Sequence, residues 1–453
     1  MSASTAPATI WDRERVWVTT GGVALIFFAA IEALAVTTVM PIVSAALDGQ
    51  SLYAVAFAGT LATSVIGMVA AGAWSDARGP RGALHAAVVL FIVGMVIAGS
   101  AATMPQFLVG RLVQGLGAGG QTVALYVVIA RLYPAHLHGR IFAAFAAAWV
   151  VPSMIGPFLA GAVAQYLDWR WVFLGVAVLT AVAFAIIAVR LHGLDLGNGT
   201  PQNARALLVR LLLAVVVAVG AVVVGLAADR PDALGWPVAA IAIAVIGAAM
   251  LPLIPRGTLR AARGLPSVIL MRGLVSAAFF AAEAYIPYLL MEEFGFTPTW
   301  AGIGLMLSAL AWAGASHLQG RFGDRLGNRR IMLLAIGSIL VALVLVLIAS
   351  AAVTPVLVVV GWGFAGAGMG LLYPRLTVLT LAYSDEGDQG FNSSALSIAD
   401  STTSAVAIAV AGLGVAALGG GADAFVLVFV LGIALALLAL VPGLRLGHAA
   451  ESR

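Results

Sequence analysis

The chain has 453 residues, of which 62% are hydrophobic and 9% carry a charge, and its net charge is +4. A soluble domain carries about 25% charged residues, so this composition excludes an ordinary globular protein and indicates a chain that crosses a membrane many times. The chain contains no cysteine, which excludes disulfides and thiol-based metal or redox sites.

Fourteen stretches are apolar and long enough to cross a bilayer, which takes about 20 residues each. We place them at 17–46, 52–75, 83–103, 105–132, 138–165, 170–190, 205–228, 236–255, 266–291, 298–320, 328–350, 354–383, 390–418 and 422–446. The sequence therefore predicts an all-α polytopic membrane protein.

The arginines predict how these spans are oriented. With the N-terminus in the cytoplasm, 18 of the 23 arginines fall in cytoplasmic segments, and only Arg170 and Arg230 fall outside. Arginine is enriched in cytoplasmic loops of membrane proteins, and this enrichment explains the net charge without a nucleic-acid partner. We predict a multi-pass protein of the cell's inner (plasma) membrane with both termini in the cytoplasm.

Two loops, about 250 residues apart, share one pattern of glycine, aspartate and arginine. The first copy comprises Gly72, Asp76, Arg78, Gly79 and Arg81, and the second comprises Gly320, Asp324, Arg325, Gly327 and Arg329. Glycine permits a sharp reversal and close helix approach. Both loops resemble the signature loop that follows the second helix of each half in major facilitator superfamily transporters. The resemblance implies that the aspartates and arginines hold the halves together when the protein faces outward. Topology anchoring by the arginines is the alternative.

Other segments repeat at the same spacing. Residues 27–33 resemble 279–284, and residues 110–117 resemble 361–368. A parallel two-half repeat is what the major facilitator fold implies. We therefore predict an N-terminal six-helix bundle at 1–190, a linker with two extra transmembrane helices at 191–264, and a C-terminal six-helix bundle at 265–453.

Three acids lie well inside the predicted helices, where a charge is costly and usually serves a site. Glu32 stands where fourteen-helix drug/proton antiporters, which this chain resembles, usually have an aspartate. We predict that Glu32 couples transport to protons; the alternative is a structural partner for Arg111. Glu283 has the matching place in the second half, where it could bind a cation, carry a second proton or pair with a base. Asp400 is a further candidate for proton coupling. We predict that it forms a buried ion pair with Arg375, which could break and reform during transport.

Two further stretches resemble superfamily motifs. Arg111, with Gln114, lies in a stretch that resembles the fourth-helix motif, whose arginine is implicated in proton coupling. The fifth span partly resembles the motif that marks exporters, and a plain structural kink is the alternative. Its motif residues are Pro152, Gly156, Pro157 and Gly161. Candidate residues of a substrate cavity are Gln114, Gln121, Tyr126, Trp149, Tyr285 and Asn392.

The resemblance implies a secondary transporter rather than an enzyme: a proton-coupled antiporter that exports amphipathic or cationic molecules by alternating access. The sequence shows no phosphate-binding loop and no metal-ligand spacing, so we expect no cofactor and no metal, and a proton gradient as the energy source. The expected partners are the transported molecule, protons and membrane lipids, and the expected form is a monomer. Export or flipping of a lipid-like metabolite, proton-driven uptake, and a sensor or scaffold without transport remain alternatives.

Overall fold

The computed structural model describes residues 10–12, 15–191, 204–227, 234–352, 354–384, 389–419 and 421–446. Within these ranges, 14 segments are long and apolar enough to cross a membrane, which confirms the predicted number of spans. Most of the predicted connector after residue 191, together with Arg230, lies outside the described residues.

The helices fall into two sets of six spans with a pair between them. The first set is α1 (Val16–Ala46), α2 (Tyr53–Arg78), α3 (Pro80–Gly99), α4 (Met104–Leu132), α5 (Ala135–Tyr166) and α6 (Arg170–Leu191). The inserted pair is α7 (Ala204–Leu226) and α8 (Gly235–Met250). The second set is α9 (Leu265–Glu283), α10 (Ile286–Glu292), α11 (Pro298–Leu326), α12 (Asn328–Ala352), α13 (Pro355–Ala382), α14 (Gln389–Ala417) and α15 (Ala422–Leu446).

The ninth predicted span, 266–291, is interrupted in the structure. It consists of α9 and the short α10, with a break at Ala284 and Tyr285. Pro287 explains the break, because proline has no backbone N–H and cannot donate to the carbonyl of Glu283, four residues earlier. Glu283 is therefore the last residue of α9.

The two sets of helices pack in the same way. In the first bundle α1 packs on α5 and α6, and α4 packs between α2 and α3; in the second, α9 packs on α14 and α15, and α13 packs between α11 and α12. Glycines allow the closest approaches: a Cβ on Gly119 would overlap the Ser64 carbonyl, and a Cβ on Gly366 would overlap the Ser308 carbonyl. Small residues at helix contacts are typical of membrane bundles, where backbones must approach closely.

The bundles meet at one end of the molecule. We call the end where α1 begins the terminal face and the other end the opposite face. Near the opposite face, one continuous cluster of buried apolar side chains includes Ala35 and Val65 from the first bundle and Leu305 and Ile408 from the second. Near the terminal face, the apolar side chains of the first bundle form a cluster of their own in the described part of the chain. Among the described residues, the buried contacts between the bundles therefore lie at the opposite face, and the apolar clusters are separate towards the terminal face.

The inserted pair lies against the seam between the bundles. Helix α7 packs on α2 of the first bundle and on α14 of the second. Gly225 of α7 lies so close to Val55 of α2 that an added Cβ would be 2.7 Å from the Val55 Cγ2. The pair thus covers the seam between α2 and α14.

Candidate functional site

A buried ion pair joins α1 to α4 in the first bundle. Arg111 Nη1 donates to the Glu32 carboxylate and, at 2.6 Å, to Gln114 Oε1. The Glu32 and Arg111 side chains are each only 5% exposed. A guanidinium beside a buried carboxylate compensates its charge, and removing either partner would leave an unpaired charge in the membrane. The pairing of Glu32 with Arg111, held open as the alternative to proton coupling, is present in the structure.

The equivalent place in the second bundle holds a different donor. Trp362 Nε1 donates to Glu283 Oε2 at 2.6 Å, joining α9 to α13. The two partners are 79 residues apart, as Glu32 and Arg111 are. The Trp362 ring also stacks on Phe279, with their centroids 5.2 Å apart. The structure therefore repeats an acid and its donor in both bundles, with a charged donor in the first and a neutral donor in the second.

Asp400 belongs to a network that sequence reasoning did not find. Its Oδ1 accepts from Arg272 Nε at 3.0 Å, from the Tyr373 hydroxyl at 2.7 Å and from the Ser276 hydroxyl. The Arg272 guanidinium lies 3.2 Å from the centre of the Tyr373 ring, which adds a cation–π contact. The acid is thus held by an arginine of α9 and a tyrosine of α13.

The predicted ion pair between Asp400 and Arg375 is wrong. Arg375 Nε donates instead to Asn328 Oδ1 at 2.6 Å. Each residue of an α-helix is rotated by about 100° from the one before, so Arg375 points about 200° away from Tyr373, which faces Asp400. Equal depth in a hairpin predicted that the two residues lie at the same level in the membrane. It could not predict that Arg375 lies on the side of α13 that faces away from Asp400.

The two signature loops adopt the same backbone turn. Gly79 ends α2 at φ 83° and ψ 157°, and Gly327 ends α11 at φ 75° and ψ 157°. Positive φ is accessible to glycine at little cost, which explains glycine at both positions.

The charged members of the loops lie at the terminal face. Asp76 and Arg81 are half-buried, and Arg78, Arg325 and Arg329 are exposed, while Gly72 and Gly320 lie within α2 and α11. Beside the first loop, the Ser75 carbonyl accepts from Arg131 Nη2 at 3.0 Å. The side chain of Asp324 lies outside the described residues. Tying the halves together in an outward-facing state stays a prediction for both loops.

Part of the predicted antiporter motif lies at the seam between the bundles. A Cβ on Gly161 of α5 would overlap the Pro298 carbonyl of α11, and a Cβ on Gly302 of α11 would overlap the Pro157 carbonyl of α5. Across the other seam, between α2 and α14, a Cβ on Gly412 would overlap the Cβ of Ala54. Pro157 and Gly161 thus help to close the opposite face.

The other two members of the motif lie deeper along α5. Pro152 is buried within the helix. Gly156 faces α1, where an added Cβ would be 3.9 Å from the Ile31 carbonyl, next to Glu32. The motif therefore runs from the level of Glu32 to the contact between the bundles.

Four of the six predicted cavity residues are buried in contacts within the protein. Gln114 accepts from Arg111, Gln121 Nε2 donates to the Leu25 carbonyl, and Asn392 Nδ2 donates to Ser384 near the terminal face. Tyr285 is buried between the two bundles, with its ring centre 5.3 Å from that of Tyr53, the first residue of α2. Each of these four side chains is buried against a neighbouring helix or turn, and a cavity role for them stays a prediction.

The remaining two predicted cavity residues are exposed. Tyr126 is 45% exposed and Trp149 46% exposed, and a cavity role for them stays a prediction.

Tyr53, which is not among the predicted site residues, joins the two bundles at the opposite face. Its hydroxyl donates to the Ala284 carbonyl at 2.5 Å, within the break between α9 and α10. A tyrosine at the start of an apolar helix gives no signal of such a contact. Trp362 was visible as the counterpart of Arg111 in the repeated segments 110–117 and 361–368.

Two repeated six-helix bundles that meet at one face define the architecture of a secondary transporter. The family model of the Major Facilitator Superfamily matches residues 22–208 and 268–452. The chain therefore belongs to the major facilitator superfamily, which confirms the predicted fold, a multi-pass membrane protein, and a transporter rather than an enzyme.

Curated relatives share part of the sequence. An uncharacterized MFS-type transporter of Mycobacterium tuberculosis is 33% identical over 174 residues, which cover 37% of this chain and 25% of the relative. The MFS efflux transporter aclA of Aspergillus oryzae is 34% identical over 148 residues, 32% of this chain and 27% of the relative. The matched stretches thus span about a quarter of each relative's length.

Solved structures share the fold along nearly the whole chain. A peptide transporter POT in complex with alafosfalin has a TM-score of 0.69 at 15% identity, with 95% of both chains covered. A bacterial homologue of the human lysosomal transporter Spinster, in an inward-facing and unoccupied conformation, has a TM-score of 0.67 at 13% identity, covering 96% of this chain and 97% of the other. At these identities the likeness shows the fold alone.

Proposed function

We propose that the protein is a proton-coupled antiporter that exports amphipathic or cationic small molecules by alternating access. The observation that carries this proposal is the pair of equivalent intramembrane acids, Glu32 and Glu283, each held by a donor from the fourth helix of its bundle. Ionisable groups within a membrane bundle usually mark ion or substrate pathways, because burying them in the membrane costs free energy and they are rare without a function. The transporter would draw on the proton gradient and need no cofactor.

Alternating access is supported by the asymmetric contact between the bundles. Close contacts through Gly161 and Gly412 join them at the opposite face. If the terminal face is cytoplasmic, as the arginine distribution predicts, the molecule is in its inward-facing state. Rocking the bundles about the middle of the membrane would then open the opposite face to the outside.

Export is supported by the position of the Pro157 and Gly161 motif at the seam that must open and close. It is also the direction in the printed name of the Aspergillus oryzae relative, an efflux transporter. A substrate site with few acids in apolar surroundings suits amphipathic or cationic compounds, which are held by burial and one charge.

The test is substrate-driven proton movement in proteoliposomes containing the purified protein. Lipophilic cations and neutral amphiphiles would be added in turn, with the wild type beside a Glu32→Gln/Glu283→Gln double variant. Cations should drive protons across the membrane with the wild type and not with the double variant. Transport without any proton movement by the wild type would overturn proton coupling. Movement of labelled lipid between leaflets, with no response to soluble compounds, would replace drug export with lipid export.

A further inference from the structure

The three acids that lie well inside the described spans have different partners. Glu32 is paired with Arg111, and Asp400 is paired with Arg272. Glu283 accepts from the indole N–H of Trp362, and no cation in the described chain lies within ion-pair distance of it. Among the described residues, Glu283 is therefore the one of these three acids that has no positive charge within ion-pair distance.

This difference decides which acid can gain and lose a proton at low cost. A carboxylate beside an arginine is held ionised, because protonation would leave the buried guanidinium unpaired. A carboxylate whose only donor is neutral carries a desolvation cost when ionised that no positive charge offsets, and protonation removes that cost. Glu283 also ends α9, and the C-terminal end of a helix disfavours negative charge. Glu283 thus differs from Glu32 in two ways: its charge has no arginine beside it, and it lies at the C-terminal end of a helix.

The described charged and titratable groups on the elements packed against α9 do not supply a positive charge to Glu283. Asp400 and Tyr373 are engaged with Arg272, which lies eleven residues before Glu283, about 16 Å along the axis. The side chain of Asp423, on α15, lies outside the described residues. The other groups on these elements are Arg260, Tyr285, Tyr288, Glu292, Arg329, Arg330, Arg375 and Arg445, and no cation among them forms an ion pair with Glu283.

Glu283 is also better placed for exchange than Glu32. Its side chain is partly exposed, whereas Glu32 is buried. The next residue, Ala284, accepts the Tyr53 hydroxyl from the other bundle. A change of charge at Glu283 thus occurs one peptide bond from a contact that closes the opposite face.

We propose that Glu283 is the residue at which the proton is exchanged, that Trp362 is its positioning residue, and that Glu32 is the fixed counter-ion of Arg111. This inference rests on the proposed function and assigns the proton exchange to Glu283 rather than to Glu32. The neutral form of Glu283 carries the proton, and the ionised form, which has lost that proton to water, presents an uncompensated charge to a cationic substrate.

The first test needs no substrate and so does not depend on the proposed function. A hydrophobic carbodiimide would be added to the full chain in lipid nanodiscs across a pH series, and the modified residue would be identified by peptide mass spectrometry. Such reagents modify protonated carboxyls in apolar surroundings. We expect modification of Glu283 that declines as the pH rises, with Glu32 and Asp400 unmodified. Modification of Glu32 without Glu283, or a yield at Glu283 that is independent of pH, would overturn the inference.

Variants of Trp362 separate positioning from packing. Trp362→Phe keeps a ring against Phe279 and removes the donor, so the ionised form of Glu283 loses a hydrogen bond and modification should persist to higher pH. Trp362→Arg copies the first bundle and should hold Glu283 ionised and unmodified. If the arginine variant fails to fold, the phenylalanine variant alone decides: an unchanged pH profile contradicts the role of Trp362.

A transport experiment completes the test. In proteoliposomes, Glu283→Gln should abolish substrate-driven proton movement while retaining exchange of a labelled for an unlabelled neutral amphiphile, which does not need the carboxylate charge. Glu292→Gln, at the exposed end of α10, is the matched carboxyl control and should behave as the wild type. Proton movement that survives in Glu283→Gln refutes the inference. Substrate transport by the wild type without proton movement would instead refute the proposed coupling.

Discussion

Removing one hydroxyl at the seam, in Tyr53→Phe, should make the opposite face open more often. Tyr53 begins α2, and its hydroxyl donates to the Ala284 carbonyl at 2.5 Å. Its ring centre lies 5.3 Å from that of Tyr285 and 5.4 Å from that of Tyr288. Phenylalanine keeps these ring contacts, so the change isolates one hydrogen bond between the bundles.

The size of the effect follows from that bond. A hydrogen bond within a protein contributes about 0.5–1.5 kcal/mol net, and interhelical bonds in membrane proteins average about 0.6 kcal/mol. The bond spans the seam, so it would break when the opposite face opens. Its whole contribution therefore favours the closed state. Its loss should raise the ratio of open to closed molecules about two- to twelve-fold.

The assay uses spin labels at the opposite face. The chain has no cysteine, so Ser100→Cys and Leu418→Cys can be labelled without background. Both residues are exposed in loops at the opposite face, one in each bundle. Double electron–electron resonance should show a larger long-distance population in Tyr53→Phe than in the labelled parent.

Tyr166→Phe is the matched control, because Tyr166 lies at the same face and is 74% exposed. It should leave the distance distribution unchanged. A role of the Tyr53 hydroxyl in closing the opposite face is refuted if Tyr53→Phe also leaves the distribution unchanged, or if both variants change it equally.

Three further predictions follow from the packing. Arg111→Ala should cost about 3–5 kcal/mol of stability, because Glu32 stays buried without a counter-ion. The melting temperature in detergent should fall, and adding Glu32→Gln should partly restore it. An unchanged melting temperature in Arg111→Ala would contradict the pairing. Gly119→Ala should lower the free energy of unfolding by about 1–3 kcal/mol, because the added Cβ forces α2 and α4 apart. Gly175→Ala, where a Cβ meets nothing within 4 Å, should leave stability unchanged. Equal melting temperatures for the two variants would refute the role of the close approach at Gly119. Gly302→Val should push α5 from α11 and raise the open population in the spin-label assay, and an unchanged distribution would exclude a role for that contact.

The sequence was sufficient to predict the spans and the repeat. Each span needs about 20 apolar residues whatever its neighbours are, so the lengths of the apolar stretches were enough to predict the number of spans. The loop turns were also local: Gly79 and Gly327 have the same backbone conformation, because that turn requires positive φ and favours glycine. Glu32 and Glu283 could be recognised as intramembrane acids, and so as candidate site residues, from the same one-dimensional pattern.

Only the tertiary structure decided which side chains meet. Asp400 pairs with Arg272 rather than Arg375, and Gln114 and Gln121 face neighbouring helices. A helix that is apolar on all sides has no polar stripe to show how it is rotated about its own axis. In lipid, that rotation is set by how closely small residues let the backbones approach. Sequence therefore determined where the helices lie along the chain, and packing determined that Glu32 meets an arginine whereas Glu283 meets a tryptophan.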